Sequence, residues 1–312
     1  MQRIAFLFPG QGSQTVGMGR DLYEASQEVR DLYERASEAV DLDLAGISFD
    51  GLEDELTRTD NTQPALLVAG VAAMTELLRH DVEPWAVAGH SLGEYTALVA
   101  AGSIKFEDGV RAVRERGRLM YEAGLARPGS MAALIGLDEE AVEAIVRQAS
   151  EAGVVQLANL NAPGQIVISG EVAAVRAAMD IAGTSGARRV VELKVSGAFH
   201  SELVKDASVG MESFLAGVEI EEPRAVFVSN VSGGAVKNPD EIRRNLVAQV
   251  VSPVRWIDDV RALTRRSAAL FLEVGPGNVL RGLLRKIEPG SRSLPAGRLE
   301  DIERAAAETA SL

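Results

Sequence analysis

Gly89-His90-Ser91-Leu92-Gly93 follows a short apolar run, Trp85-Ala86-Val87-Ala88, and leads into a helix-prone stretch from Glu94 to Ala101. Strand, glycine-flanked serine and helix together are the layout of a nucleophile elbow. The turn is so tight that larger side chains beside the serine would collide, which explains the glycines. The helix that follows aims free N–H groups and a positive dipole end at whatever bonds to the serine oxygen. Negative charge developing there would be stabilised. A pattern this short recurs by chance; here the flanking strand and helix supply the context its chemistry needs.

Upstream of the elbow, Arg3 to Phe8 reads as a buried strand. Pro9-Gly10-Gln11-Gly12-Ser13-Gln14 forms a loop toward a helix from about Asp21 to Val40. Gly10-x-Gly12 after a strand invites a dinucleotide reading, but Thr15 stands where the third glycine should fall. Gln63-Pro64 opens an apolar helix to about His80, with proline suited to a first turn. Downstream, a helix from about Glu107 to Ala123 carries Val110, Val113 and Met120 on its apolar stripe. Arg116 falls about 60° from the centre of that stripe at 100° per residue. Arg111, Arg114 and Arg118 fall well outside it and read as solvated.

From Ser130 the texture changes. Strand Met131–Ile135, an Asp138-capped helix to Ser150, and strand Val154–Leu160 come first. A turn Asn161-Ala162-Pro163-Gly164 follows, then strand Gln165–Ser169, helix Glu171–Ala182 and strand Arg188–Val195. This β-α-β-β-α-β order is a ferredoxin-like unit, set between elements of a larger α/β domain with a mostly parallel sheet. The expected division is 1–128 with 197–312 as the large domain and 129–196 as the insertion. After Gly197 come a helix near Lys205–Leu215, strand Ala225–Val231, helix Pro239–Val251, strand Ala269–Val274, helix Val279–Ile287 and a helical tail, Leu299 to Leu312.

Composition narrows the function. The chain has 312 residues, enough to bury a sizeable core, and a net charge of −13, which argues against nucleic acid and anionic membrane surfaces as partners. The apolar run Ile4–Phe8 is too short for a signal-peptide core, and no apolar run approaches the ~18 residues of a membrane span. A cytoplasmic protein is expected. With no cysteine and three scattered histidines, His80, His90 and His200, no metal-ligand spacing exists. No Walker-type lysine motif occurs either, so neither metal nor nucleotide cofactor is expected.

A serine hydroxyl is a weak nucleophile until a base takes its proton. His90 neighbours Ser91, and adjacent side chains on a sharp turn point apart. His80 ends a helix beside Asp81 and Glu83, a surface setting. His200 in Gly197-Ala198-Phe199-His200-Ser201 remains as the base. Asp108, Asp138 and Asp180 look like surface or cap residues, and Glu202 is near His200 only in sequence. A dyad is therefore expected, with something other than a carboxylate orienting His200. An inward Arg116 either meets an anionic ligand or serves a structural ion pair, and the pattern leaves both open.

Over essentially its whole length the chain resembles malonyl-CoA:acyl-carrier-protein transacylases. The carrying segments are Phe8 to Gln14, Thr62-Gln63-Pro64-Ala65, Gly89 to Tyr95, Asn161 to Gln165, Gly197 to Ser201, Gln249 to Trp256 and Glu273 to Asn278. The same domain occurs inside polyketide and fatty acid synthases. The resemblance implies a hydrolase-like α/β domain with a ferredoxin-like insertion, and ping-pong transfer of a malonyl group from malonyl-CoA to an acyl carrier protein. Ser91 would carry the acyl group and His200 would be base and then acid, oriented by a main-chain carbonyl at Gln249. Backbone N–H groups of Gln11 and Leu92 would hold the oxyanion. Arg116 would pair with the malonyl carboxylate, and Phe199 would favour malonyl over methyl-branched units. His90, Gln249 and Asn161 complete the expected substrate site, and a monomer is expected. A serine esterase or thioesterase shares the elbow, and a non-catalytic carrier-docking module could share the fold.

Overall fold

Residues 3–195 and 197–310 are described in a computed structural model of the chain. The last residue of the expected 129–196 unit and the last two of the expected tail helix lie outside them. The ten strands among the described residues are β1 (Ile4–Phe8), β2 (Ala86–Gly89), β3 (Gly129–Ile135), β4 (Val155–Ala162), β5 (Gln165–Glu171), β6 (Arg189–Glu192), β7 (Val226–Ser229), β8 (Gly234–Ala235), β9 (Leu270–Val274) and β10 (Ser293–Ala296). Alternation along β1 fixes the larger sheet. Ile4, Phe6 and Phe8 enter one apolar cluster, while Ala5 and Leu7 enter another on the opposite face. A strand covered on both faces reads as an unbroken apolar run and suits a parallel sheet. The spatial order is β10-β9-β1-β2-β7-β8, all parallel except β8, which runs against β7.

The second sheet is antiparallel, with order β4-β5-β3-β6. Counted within the unit, the strands stand second, third, first, fourth, which is the ferredoxin-like arrangement. Helices Glu139–Ala149 and Val172–Thr184 pack on one face of this sheet around a separate apolar cluster that includes Leu134, Val142, Ile168 and Val175. The expected α/β class with a ferredoxin-like insertion holds. The second sheet is tied to the loop before the helix Trp256–Arg265 by backbone bonds between Leu160 N and Val254 O and between Val254 N and Ala158 O, both 2.9 Å.

Several local expectations need correction. The helix expected from Asp21 is two helices, Arg20–Ala25 and Gln27–Val40, because Ser26 turns extended and its Oγ caps the second at Val29 N. The helix expected to open at Pro64 begins at Thr59 and runs to Arg79. Proline has no N–H to bond the Asp60 carbonyl one turn back. Arg114 supplies the missing donor, its Nη1 lying 2.6 Å from Asp60 O and 2.8 Å from Asn61 Oδ1. Arg114 is thus a structural clasp rather than a solvated charge. Helices Leu44–Phe49, Glu53–Thr57 and Trp256–Arg265, together with β8 and β10, were not expected from the sequence. Asn161 and Ala162 belong to β4, leaving Pro163-Gly164 as the turn.

Candidate active site

Ser91 follows the end of β2 with φ of +52°, in the left-handed region that a side chain rarely occupies. The neighbouring glycines are compulsory. A Cβ on Gly89 would lie 1.9 Å from the Gly93 carbonyl, and one on Gly93 would lie 2.1 Å from Phe8 O. Asn230, just beyond β7, clamps the turn from below. Its Oδ1 accepts from Ser91 N and its Nδ2 donates to Gly89 O, each at 2.8 Å. The same Nδ2 reaches Asp259 Oδ2 at 2.8 Å.

His200 also has a left-handed backbone, φ +57°, and brings Nε2 to 2.8 Å from Ser91 Oγ. Its Nδ1 faces Gln249 O at 2.8 Å, so a main-chain carbonyl stands where a triad carboxylate would be. That contact fixes the tautomer: Nδ1 donates to the carbonyl, leaving Nε2 free to accept the serine proton. Burial, with the nearby Arg116 charge, pushes the His200 imidazole down to about 3. At neutral pH it is therefore in the basic form. Gln156 on β4 steadies the loop, donating to His200 O and Val251 O at 3.2 Å.

Arg116 is 1% exposed, and among the described residues its guanidinium hydrogen-bonds no carboxylate. Its Nη1 donates to Gln63 Oε1 at 2.9 Å, and its Nη2 to Gln249 Oε1 at 2.8 Å and Ser91 Oγ at 3.0 Å. Among the described residues, a structural ion pair, one of the two roles the sequence left open, is absent at its hydrogen-bonding groups. Ser91, His200, Arg116, Phe199, His90, Gln11 and Leu92 line one cleft of about 120 Å³ with Met120, Met131, Asn159, Leu193 and Val195. Among the described residues, the backbone N–H groups of Gln11 and Leu92 have no protein acceptor. Asn161 is absent from the lining; its Oδ1 lies 2.8 Å from His90 Nε2, behind the wall. His90 itself packs against Trp256 at 5.5 Å between ring centroids.

A serine and a neutral histidine in contact, beside a buried guanidinium held by amide oxygens, form an acyl-transfer or acyl-hydrolysis centre. The family model described as "Acyl transferase domain" matches residues 5–305. The chain belongs to this acyltransferase family. It is 43% identical to the malonyl CoA-acyl carrier protein transacylase of Bacillus subtilis, over 97% of this chain and 96% of that one. The acyl-carrier-protein S-malonyltransferase of Burkholderia pseudomallei superposes with a TM-score of 0.94 at 40% identity, covering 98% of this chain and all of that one. A malonyl-transacylase solved in complex with a type II polyketide synthase acyl-carrier protein gives 0.94 at 38%, over 98% and 100%. The family resemblance drawn from the motifs, and the Ser91–His200 dyad with it, are borne out.

The acyltransferase site also uses residues the sequence reading missed: Gln63, Glu94, Asn230 and Asp259. Each is 0–1% exposed. Glu94 accepts from Gln249 Nε2, and burial raises its carboxyl to about 7 against the pull of its hydrogen bonds and of Arg116. Burial, reinforced by Glu94, holds the Asp259 carboxyl well above the usual range. Asn230 had one available signal, its place at the C-terminal end of the strand beside the elbow, where parallel sheets carry their chemistry. Among the described residues, no group of three or more His, Cys, Asp or Glu could hold a metal ion, and no helix is long and apolar enough to cross a membrane.

Proposed function

We propose that this acyltransferase moves a malonyl group from malonyl-CoA to the phosphopantetheine thiol of an acyl carrier protein, through an ester on Ser91. The observation that carries the reading is Arg116. A buried guanidinium without a carboxylate is costly unless a ligand supplies one, and its Nη2 lies 3.0 Å from the nucleophile. A malonyl thioester has a carboxylate two carbons from its reacting carbonyl, so one molecule can reach both groups.

In the first half-reaction His200 Nε2 takes the Ser91 proton as Oγ attacks the thioester carbonyl. The carbonyl oxygen becomes an oxyanion held by the N–H groups of Gln11 and Leu92. Collapse breaks the carbon–sulfur bond, and the CoA sulfur leaves with the proton from His200. In the second half His200 takes the proton of the carrier thiol, whose sulfur attacks the Ser91 ester. Ser91 leaves with that proton, so the dyad returns to its starting state. Within this reading Phe199 limits the space beside the α-carbon, His90 and Asn161 shape the wall together, and Gln249 holds both base and arginine. A thioester is already activated, so no cofactor is needed. All of these groups come from one chain, which fits a working monomer. A CoA donor supports a cytoplasmic enzyme. Residues 129–196 act as an inserted subdomain on a catalytic domain made of 1–128 and 197–312.

Intact-mass analysis tests the reading. The chain mixed with malonyl-CoA should gain one malonyl group on the peptide containing Ser91 and pass it to a holo carrier protein. Free malonate as the main product at saturating carrier would assign it to hydrolysis instead, and no adduct would exclude acyl transfer.

A further inference from the structure

Gln249 is gripped from two sides by groups of opposite hydrogen-bonding character. Its Oε1 accepts from Arg116 Nη2 at 2.8 Å. Its Nε2 donates to the Glu94 carboxylate and to Ser91 O at 3.0 Å, with Asn230 Oδ1 at 3.3 Å. A guanidinium offers donors only, and an ionised carboxylate accepts only. An amide between the two has one satisfying orientation, with oxygen toward the arginine and nitrogen toward the carboxylate. Reversed, it would set N–H donors against the guanidinium and a carbonyl oxygen against the carboxylate. Glu94, Arg116, Asn230 and Gln249 are 0–1% exposed, so bulk water does not relieve such a mismatch.

Glu94 lies in the first turn of the helix Gly93–Ala100 that follows the nucleophile. Of the acceptors at the amide nitrogen, Ser91 O and Asn230 Oδ1 are neutral and Glu94 supplies the charged one, which holds the amide most strongly. We propose that Glu94 is a positioning residue for acyl selection: by fixing the Gln249 amide it holds the Arg116 guanidinium ready for the substrate carboxylate. The inference deepens the malonyl reading above and rests on it.

The charged and titratable groups facing Glu94 are Arg116 from the helix Phe106–Ala126, Asp259 from the helix Trp256–Arg265, and its neighbour Tyr95. Burial lifts the Glu94 carboxyl to about 7, against the pull of its hydrogen bonds and of Arg116. Above that value Glu94 is an acceptor only and the amide is locked. As pH falls through it, protonation removes the charge from the acceptor facing Gln249 Nε2; Arg116 and Ser91 O still favour the same orientation, but the amide is held less tightly and selection weakens.

The experiment measures kcat/KM for malonyl-CoA and acetyl-CoA from about pH 6 to 8.5, bracketing the Glu94 titration, with wild type and Glu94→Gln. Glutamine keeps the volume but offers no charged acceptor at any pH. The malonyl-to-acetyl ratio of Glu94→Gln at the alkaline end should fall at least about tenfold below wild type, the scale of a lost hydrogen bond to a charged group. Its ratio should also lose its pH dependence. A ratio within about twofold of wild type would overturn the proposal. A role in folding alone would lower both substrates together, leave the ratio unmoved, and so overturn it too. Should Glu94→Gln fail to fold, the wild-type ratio still decides: it must climb as pH rises through about 7, and a flat ratio rejects the inference. A wild type with no malonyl preference at any pH would instead reject the malonyl reading itself.

Discussion

The floor and the wall of the cleft are built on opposite principles. Beneath Ser91 lie Gln63, Glu94, Arg116, Asn230, Gln249 and Asp259, polar side chains buried to 0–1% exposure and joined by hydrogen bonds. Above it stand Met120, Met131, Leu193, Val195 and Phe199, an apolar wall to which the inserted unit contributes. Polar groups in a dry interior are strong partners and costly orphans, so the floor tolerates no loss. Apolar walls act by shape, and one methyl group more or less changes affinity modestly. Under the proposed function, reaction and carboxylate recognition belong to the floor, and choice among acyl units of similar charge belongs to the wall. Mutations should follow that ranking.

The largest effects should come from the dyad at the top of the floor. Ser91→Ala should abolish the acyl-enzyme outright. His200→Ala should leave folding intact and slow acylation by ~10²–10⁴, the usual worth of a positioned base. Single-turnover acylation followed by intact mass would measure both. Acylation near the wild-type rate in either variant would break the assignment of chemistry to these two residues.

Next comes the cation. Arg116→Ala removes the one buried positive group touching the nucleophile, and truncating one partner of such a pair costs ~2–5 kcal/mol, or roughly thirty- to several-thousand-fold. Malonyl transfer should fall by that order while acetyl transfer falls little or rises. If malonyl-, methylmalonyl- and acetyl-CoA lose kcat/KM equally, Arg116 is a structural member of the floor and carboxylate recognition lies elsewhere.

How much of this was readable in advance also divides by region. Ser91 announced itself because the elbow needs glycines at fixed offsets, and His200 remained once the other two histidines were placed. Arg116 was legible from helical phase. Glu94, Asn230 and Asp259 were not, since a polar residue in a first helical turn or after a strand usually faces water. They become a site only when β2, β7 and the helix Trp256–Arg265 pack together, and no local pattern carries that packing. The fold shows the same split. The strands β1, β2 and β9 were plain apolar runs, whereas β10 holds Pro295, which discourages a strand reading although an edge strand accommodates it. Pro64 was read as a helix start because proline suits a first turn, and Arg114, which bonds the Asp60 carbonyl that Pro64 leaves open, is far along the chain.

The wall should respond more gently. Phe199 is 6% exposed and precedes the base. Shrinking it to serine opens space beside the α-carbon, so methylmalonyl-CoA should gain on malonyl-CoA, but only within the ~10–200-fold that the fit of one methyl can supply. Competition assays with both donors would measure the ratio. A change in acetyl transfer as large as that in methylmalonyl transfer would show that the variant disturbed His200 rather than the wall, and would blur the division between the two regions.

The smallest effects belong to the rim, outside both. The chain carries a net charge of −13, so an acidic carrier would dock only on a local basic surface. Arg188 and Arg189 beside and on β6, and Arg285 and Lys286 on the helix Val279–Ile287, are all exposed. Lys286 Nζ also reaches Gln165 Oε1 at 2.7 Å, linking that helix to the inserted sheet. Exposed charge pairs are worth only ~0.2–1 kcal/mol each, so a single reversal to glutamate should raise the carrier KM by a few-fold. The effect should shrink as salt rises, since charges in water are screened beyond about 10 Å at 0.1 M. Self-acylation from malonyl-CoA should stay at the wild-type rate, because none of the four residues lines the cleft. Steady-state kinetics in carrier concentration, run at low and high salt, separates the rim from floor and wall. An unchanged carrier KM in all four variants would move the docking surface elsewhere.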